Sequence, residues 1–339
     1  MSLGFGLLSA QIPPGAAPAW DETYARVLEY TELAERLGFA SVWTTEHHLV
    51  DDGYMPSLLV TSAAMAARTS RIEIGTGVLL APLHHPLRLA EDAATVQLIS
   101  GGRLALGLGL GWVEPEFAAL GVPMRLRGQA MTEILELLPK AWTGQPFTHS
   151  GTVYDFPTVG VRPTPHRPIP ILIGGGAEPA VRRAARLADG FFSNATPERF
   201  SDQVRWANDE MESIGRDPAT FRWIYYSIIY PCDDPVAGWD EARDHIWATT
   251  WKYSDMAASA SRPLPAPAPP PFPAQAEERV RGRTVIVDTP QSNVERIAQI
   301  RAAAGVDAEI VARSYLPTLP HERQVELMQR LAEDVAPHL

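Results

Sequence analysis

The chain has 339 residues, enough for one large α/β barrel or for two smaller domains. Forty acidic side chains against 29 basic ones give a formal charge of -11, which argues against a general binder of nucleic acid or of anionic membranes. Cys232 is the only cysteine, so no intramolecular disulfide is possible, as expected in a reducing compartment.

The first residues show no basic segment followed by a long apolar one, so no signal peptide is expected. The longest apolar-leaning stretch, Leu104 to Val113, is too short and glycine-rich to span a bilayer. A cytoplasmic protein is the expectation.

Leu3 to Ser9 reads as a buried strand. Asp21 can cap a helix whose apolar positions Tyr24, Val27, Leu28, Ala34 and Leu37 keep helical spacing until Gly38 stops it. Ala40 to Thr45 is the second strand, Ser57 to Arg68 a helix, and Arg71 to Leu80 a third strand. His85 reads as the cap of a helix that starts at Pro86 and ends at Gly101-Gly102. Arg103 to Gly111 is the fourth strand and Gly128 to Trp142 a helix. Gln145 to Pro168, rich in Gly, Pro and aromatic residues, reads as an inserted hairpin and loop.

Ile169 to Gly174 and Gly190 to Ser193 are strands on either side of a helix from Glu178 to Ala188. Thr196-Pro197 opens the next helix, and Phe221 to Tyr230 is an aromatic, branched strand. A helix with Trp239, Trp247 and Trp251 follows. Arg262 to Pro273 holds seven prolines and cannot be a regular helix or a central strand, so a lid or mobile loop over about 257–283 is predicted. Thr289-Pro290 starts a helix that Gly305 ends, Asp307 to Ala312 is the last strand, and Glu322 to Val335 the last helix.

Eight strand-like runs alternate with helices. That is the pattern of a single (β/α)8 TIM barrel over 1–339, with insertions after strands 4 and 7. An open doubly wound sheet is the alternative, but it should carry a glycine fingerprint directly after the first strand, and Gly4 and Gly6 lie inside that strand.

Chemistry in such folds gathers at the carboxyl ends of the strands. Trp43-Thr44-Thr45-Glu46-His47-His48 ends the second strand and offers a carboxylate and two imidazoles. Adjacent residues of an extended chain face opposite sides, so one imidazole at most enters a given pocket, and His47 is the choice. Gly75-Thr76-Gly77-Val78 ends the third strand, and Gly107 to Trp112, with Gly109 and Gly111, ends the fourth. Glycines there let a flat ligand or a phosphate approach the backbone. Gly174-Gly175-Gly176-Ala177 joins a strand to a helix N-terminus, a natural phosphate site, with Arg182 and Arg183 one turn on. Glu46 with the neighbouring histidines could suggest a metal hydrolase. The ends of strands four to six offer no further ligand, so no metal is expected.

An ordered set of pieces carries a family resemblance. They are Gly38-Phe39, Val42-Trp43, Glu46-His47-His48, Gly75-Thr76-Gly77, His85 to Asp92, Ser100 to Arg103, Gly107 to Trp112, Glu116-Phe117, Leu120-Gly121, Trp142-Thr143-Gly144, Ile173-Gly174-Gly175 and Leu187 to Gly190. Together they resemble the bacterial luciferase-like flavin monooxygenases over almost the full length, except from about Trp239 to Arg283.

The resemblance implies a barrel that binds reduced FMN, delivered by a separate reductase. The flavin reacts with O2 to a 4a-hydroperoxide that oxidises an aldehyde, ketone or related small molecule. His47 would be the catalytic histidine, and Glu46 would orient it or bond nearby backbone. Thr76, Gly77, Val78, Gly109, Gly111, Trp112 and Gly174 to Ala177 would bind the cofactor. Gly77-Val78 would be a cis peptide under the ring, and Trp112 would sit near the phosphate or ribityl chain. A homodimer follows from the family alone. Bacterial luciferase itself has an Arg at the position of Leu110, so a light-emitting reading is set aside and the phosphate falls to backbone donors with Arg182 or Arg183. Two other readings stay open: hydride transfer with a deazaflavin coenzyme, and flavin binding without catalysis.

Overall fold

The computed structural model describes residues 3–13, 16, 19–258, 268–281 and 285–339. Eight parallel strands close a barrel: β1 (Leu3–Leu8), β2 (Ser41–Thr44), β3 (Glu73–Thr76), β4 (Leu104–Gly109), β5 (Ile171–Gly174), β6 (Gly190–Ser193), β7 (Arg222–Pro231) and β8 (Glu309–Arg313). Closure is made where Leu3 of β1 registers with Ile310 of β8. The helices Trp20–Leu37, Leu58–Arg68, Pro86–Ile99, Arg127–Trp142, Glu178–Leu187, Pro197–Ser213, Pro290–Ala304 and His321–Arg330 follow the strands in turn.

Two separate apolar layers hold this together. Side chains between strands and helices form the large outer core. The barrel interior is filled by Leu7, Trp43, Ala105, Leu172, Phe192, Ile224 and Val311, from seven of the eight strands. The eighth, β3, contributes Gly75 at that level. A Cβ there would lie 2.2 Å from the Trp43 indole, so the glycine exists to admit the tryptophan. Trp43 Nε1 donates to Ser41 Oγ at 2.8 Å, which satisfies the indole inside the apolar layer.

The insertions fall after β4 and β7, as predicted. The first contains a hairpin, Phe147–Ser150 paired antiparallel with Asp155–Val159. The second contains a long helix, Pro235–Ala258, a short one, Ala274–Arg281, and a strand, Val285–Asp288. That strand pairs with the outer half of the ten-residue β7, beyond the barrel wall. Residues 259–267 and 282–283 of the expected lid lie outside the described residues. Its remaining proline-rich part is anchored, with Trp247 donating to the Pro270 carbonyl at 2.7 Å and stacking on Phe272.

Several local expectations change. Asp21 lies in the first turn of its helix, not at the cap; Ala19 precedes the helix and offers no side-chain bond. The third strand stops at Thr76, and only Leu79–Leu80 resumes pairing, with β4. Gly38 and Gly305 end their helices with φ of 84° and 69°, conformations that favour glycine. His85 caps its helix, with Nδ1 accepting from the Leu87 N–H. No helix among the described residues is long and apolar enough to cross a membrane.

Candidate active site

The loop after β2 is pinned to the barrel rim by its own backbone. Thr45 N–H donates to Leu8, His47 N–H to Met55, and Met55 N–H to Ser9. This tethering parts three consecutive side chains, His47 to one side and Glu46 and His48 to the other. Glu46 is buried, and its Oε2 accepts from the Leu80 N–H. His47 is buried and meets Glu116: Nδ1 to Oε1 is 2.9 Å. His48 is half-buried and turns back toward Glu46.

Glu46 therefore does not touch His47 by any hydrogen bond. It takes the other expected part and bonds nearby backbone at Leu80, while the carboxylate that meets His47 is Glu116, from the short helix Glu114–Ala119 that follows β4. Glu116 is 1% exposed, and its Oε1 also accepts from the His48 N–H at 2.7 Å, while Oε2 is buried without a hydrogen-bond partner. A carboxylate can only accept, so in the neutral ring Nδ1 carries the hydrogen and Nε2 is left with its lone pair. Nothing in the local sequence separates Glu116 from its neighbour Glu114, which is exposed. Both read as acidic residues in a helix first turn.

Around the imidazole stand three aromatic rings, all edge-on to it. Tyr54 is 4.8 Å away by ring centre, Tyr253 5.8 Å and Trp112 5.9 Å. Trp112 and Tyr253 stack at 6.3 Å, and the Tyr54 and Tyr253 hydroxyls are 2.9 Å apart. Tyr253, on the long inserted helix, was not foreseen from sequence. Its neighbour Lys252 ties that helix to the loop after β2, 2.5 Å from Asp51 and 3.5 Å from Asp52. Trp112 lies edge-on to the histidine. Of the aromatic strand, Trp223 and Tyr225 pack outward on Phe200. Tyr226 turns inward, as Ile224 does, and stacks on Phe192.

The glycine-rich strand ends converge on one side chain. Gly77-Val78 is a cis peptide. A Cβ at Gly109 would lie 2.4 Å from one Val78 methyl and a Cβ at Gly174 2.6 Å from the other, so these two glycines accommodate Val78. Thr76 is fully buried and its hydroxyl donates to the Gly107 carbonyl at 2.7 Å, so that donor is already occupied. Gly111 has φ of 73° and packs against Phe117. Gly175 would crowd Ala180 at 3.2 Å, whereas Gly176 faces open space. Ala177 precedes the helix Glu178–Leu187, which has no side-chain cap. Arg182 is engaged by Glu178 and Glu210 and is not free for an anion; Arg183 donates to Thr132 at 3.1 Å.

Glu46, His48 and His84 form a cluster whose ligand-type atoms all lie within 4.8 Å of one another. Glu46 Oε1 is 3.0 Å from His84 Nε2 and 3.2 Å from His48 Nε2, the latter out of hydrogen-bond alignment. Burial alone would raise the Glu46 pKa, but the two imidazoles and the Leu80 N–H outweigh it and hold the carboxyl at about 2. Burial would lower His48, yet Glu46 and then Glu116 raise it above its ordinary value.

Comparison with known proteins gives this geometry a context. The chain is 27% identical to the F420-dependent glucose-6-phosphate dehydrogenase of Microbacterium testaceum, over 92% of this chain and 93% of that protein. It is 29% identical to the oxygenase component of the flavin-dependent trigonelline monooxygenase of Acinetobacter baylyi, over 54% of this chain and 51% of that protein. The crystal structure of monooxygenase RslO1 from Streptomyces bottropensis superposes with a TM-score of 0.84 at 25% identity, covering 100% of this chain and 99% of the other. The family model of luciferase-like monooxygenases matches residues 1–308, and the chain belongs to that oxidoreductase family.

Proposed function

We propose that this protein is a flavin-dependent monooxygenase that uses reduced FMN and O2 to oxidise a small organic substrate at the C-terminal mouth of the barrel. The observation that carries the reading is the buried His47–Glu116 pair, which presents an imidazole nitrogen inside an aromatic enclosure. The residues present fit a planar cofactor with an anionic tail. The uncapped helix start beside Gly176 leaves room and positive backbone charge for a phosphate. Trp112, Tyr253 and Tyr54 offer apolar surface to a ring system. Gly77, Val78, Gly109, Gly111 and Gly174 to Ala177 are the backbone positions we assign to holding it, with Thr76 supporting the β3 end.

Bound reduced FMN supplies the electron pair with which dioxygen is split, one oxygen atom going to the substrate and one to water. His47 handles protons: Nε2 accepts one and returns it, while Glu116 keeps the hydrogen on Nδ1 and steadies the charged form. Glu46 acts at a remove, holding the Leu80 backbone beside Val78 together with His48 and His84. The aromatic rings keep water from the reacting atoms. The reading carries a separate flavin reductase as partner and a cytoplasmic homodimer, with no metal ion required.

A second reading is hydride transfer with a deazaflavin coenzyme. The match to an F420-dependent dehydrogenase along nearly the whole chain favours it. The same mouth and the same His47 serve either chemistry. Anaerobic titration with reduced FMN and, separately, with a reduced deazaflavin coenzyme discriminates them. The expected result is saturable binding of reduced FMN, followed by O2 uptake that depends on added substrate. Binding of the deazaflavin alone overturns the monooxygenase reading.

A further inference from the structure

Arg313 ends β8 at the barrel mouth without a counter-ion. No Asp or Glu lies within ion-pair distance of it among the described residues, and those residues include every acidic side chain of the sequence. Its electrostatic neighbours are phenols: Tyr253, Tyr226 and Tyr54. The guanidinium carbon is 5.2 Å from the centre of the Tyr253 ring. Burial pushes the Tyr226 hydroxyl up to about 12 and the Tyr54 hydroxyl well above its ordinary value, so both are neutral at physiological pH and cannot balance the charge.

This cation lines a cavity of about 140 Å³. Asn194 and Thr250 add polar groups to the wall, and Ile228, Val280 and Val285 add apolar ones. Tyr253 links the cavity's cation to the candidate active site: Arg313 packs over its ring, whose centre is 5.8 Å from that of His47. A half-buried cation that hydrogen-bonds a phenol, Tyr253, but meets no carboxylate, in a chain of net charge -11, is suited to an external anion.

We propose that Arg313 receives the anionic group of the substrate, so that the molecules this protein oxidises are small organic anions with an apolar body. A carboxylate or phosphate oxygen pair matches the planar donor fork of the guanidinium. The body then lies along Ile228, Val280 and Val285, and its far end reaches toward His47. The assignment rests on reading the barrel mouth as the substrate site.

The test uses the full chain and three probes: benzoate, its uncharged counterpart benzamide, and inorganic phosphate. Binding is followed by quenching of tryptophan fluorescence and by the shift in melting temperature. Wild type should bind at least one of the two anions and discriminate against benzamide by about tenfold or more, the factor expected for a charge-assisted pair. Preference for benzoate or for phosphate tells a carboxylate from a phosphate substrate. Arg313→Gln should lose the anion preference, and Arg313→Lys should keep part of it, which separates loss of charge from loss of fold. Equal binding of benzoate and benzamide by wild type, no binding of either anion, or undiminished anion binding by Arg313→Gln overturns the proposal. Reduced-FMN affinity is measured on the same proteins. Wild type that fails to bind FMN while still preferring anions sinks the flavin reading and leaves this one standing. Arg313→Gln that loses FMN but keeps anion binding overturns this one alone.

Discussion

The two ends of the barrel handle charge in opposite ways. At the N-terminal end, Arg222 opens β7 and reaches both Glu309, at 2.5 and 2.6 Å, and Glu73, at 2.6 and 3.1 Å. Burial works against this guanidinium, but the bonds to Glu309 and Glu73 outweigh it and raise its pKa above the ordinary value. At the C-terminal end, Arg313 closes β8 with no carboxylate, and Glu116 keeps one buried oxygen unbonded. Arg222 at the bottom is paired with two carboxylates, whereas Arg313 and Glu116 at the mouth have bonding capacity left over. A fold is stabilised by the first arrangement, and a ligand is recognised by the second.

Substitutions at the two ends should therefore separate rate from stability. His47→Asn keeps a donor for Glu116 but removes the titratable nitrogen. Turnover should fall by about 10²–10⁴-fold with little change in melting temperature and with flavin binding retained. Unchanged turnover would remove His47 from the mechanism. Arg222→Met does the reverse. It strands two carboxylates, and because all three side chains are partly exposed the cost is discounted to about 2 kcal/mol. Urea unfolding checks this; turnover below the transition should match wild type. Glu116→Gln belongs to the mouth again. Its amide can present a donor to Nδ1 and so favour the wrong tautomer, lowering kcat by about tenfold to 100-fold with a smaller effect on KM. A change in KM alone would assign Glu116 to substrate binding.

How much of this was legible from the chain follows the same division. The strands and helices announce themselves through apolar spacing and end signals, because local propensity and burial agree there. Gly190–Ser193 coincides with its sequence reading, and Gly38, His85, Thr196 and Gly305 bound their helices as read. His47 was legible because a polar cluster at a strand end is conspicuous. Tyr253 was not, and Glu116 entered only within the Glu116-Phe117 piece of the family resemblance, without a role, because each is brought to the site by tertiary packing and looks locally like any surface helix residue. The glycines show a subtler limit. Gly75 read as space for a ligand, yet it makes room for Trp43, and Gly109 and Gly174 seat the Val78 side chain beside whatever their backbone holds. A glycine reports that something is close and leaves its identity open. The short strand Val285–Asp288 was missed because a four-residue apolar run in an irregular region carries no period of its own.

Gly176 tests that distinction directly. It faces open space, so Gly176→Ala should leave stability unchanged, yet it should weaken FMN binding several-fold if a phosphate approaches the backbone there. Intact affinity in the alanine variant would move the phosphate elsewhere on the rim.

The smallest effect expected is a pH dependence of stability from the Glu46 cluster. The folded Glu46 carboxyl sits at about 2, below its unfolded value of 4.5. Its contribution is present above pH 4.5 and is lost as the pH falls toward 2. His48 has the opposite sign, because its folded pKa is raised above 6.5. Its contribution is complete below pH 6.5 and disappears as the pH rises through the raised value. The two together predict a stability plateau between about pH 4.5 and 6.5, with an alkaline decline that starts just above it. Replacing His48 with Gln should flatten the alkaline side and leave the acid side in place, since His84 and the Leu80 N–H still hold Glu46. The measurement is urea unfolding from about pH 2 to 9 on both proteins. Identical alkaline declines would mean that Glu46 and His48 are close in space but uncoupled in energy, as the poor alignment of His48 Nε2 permits.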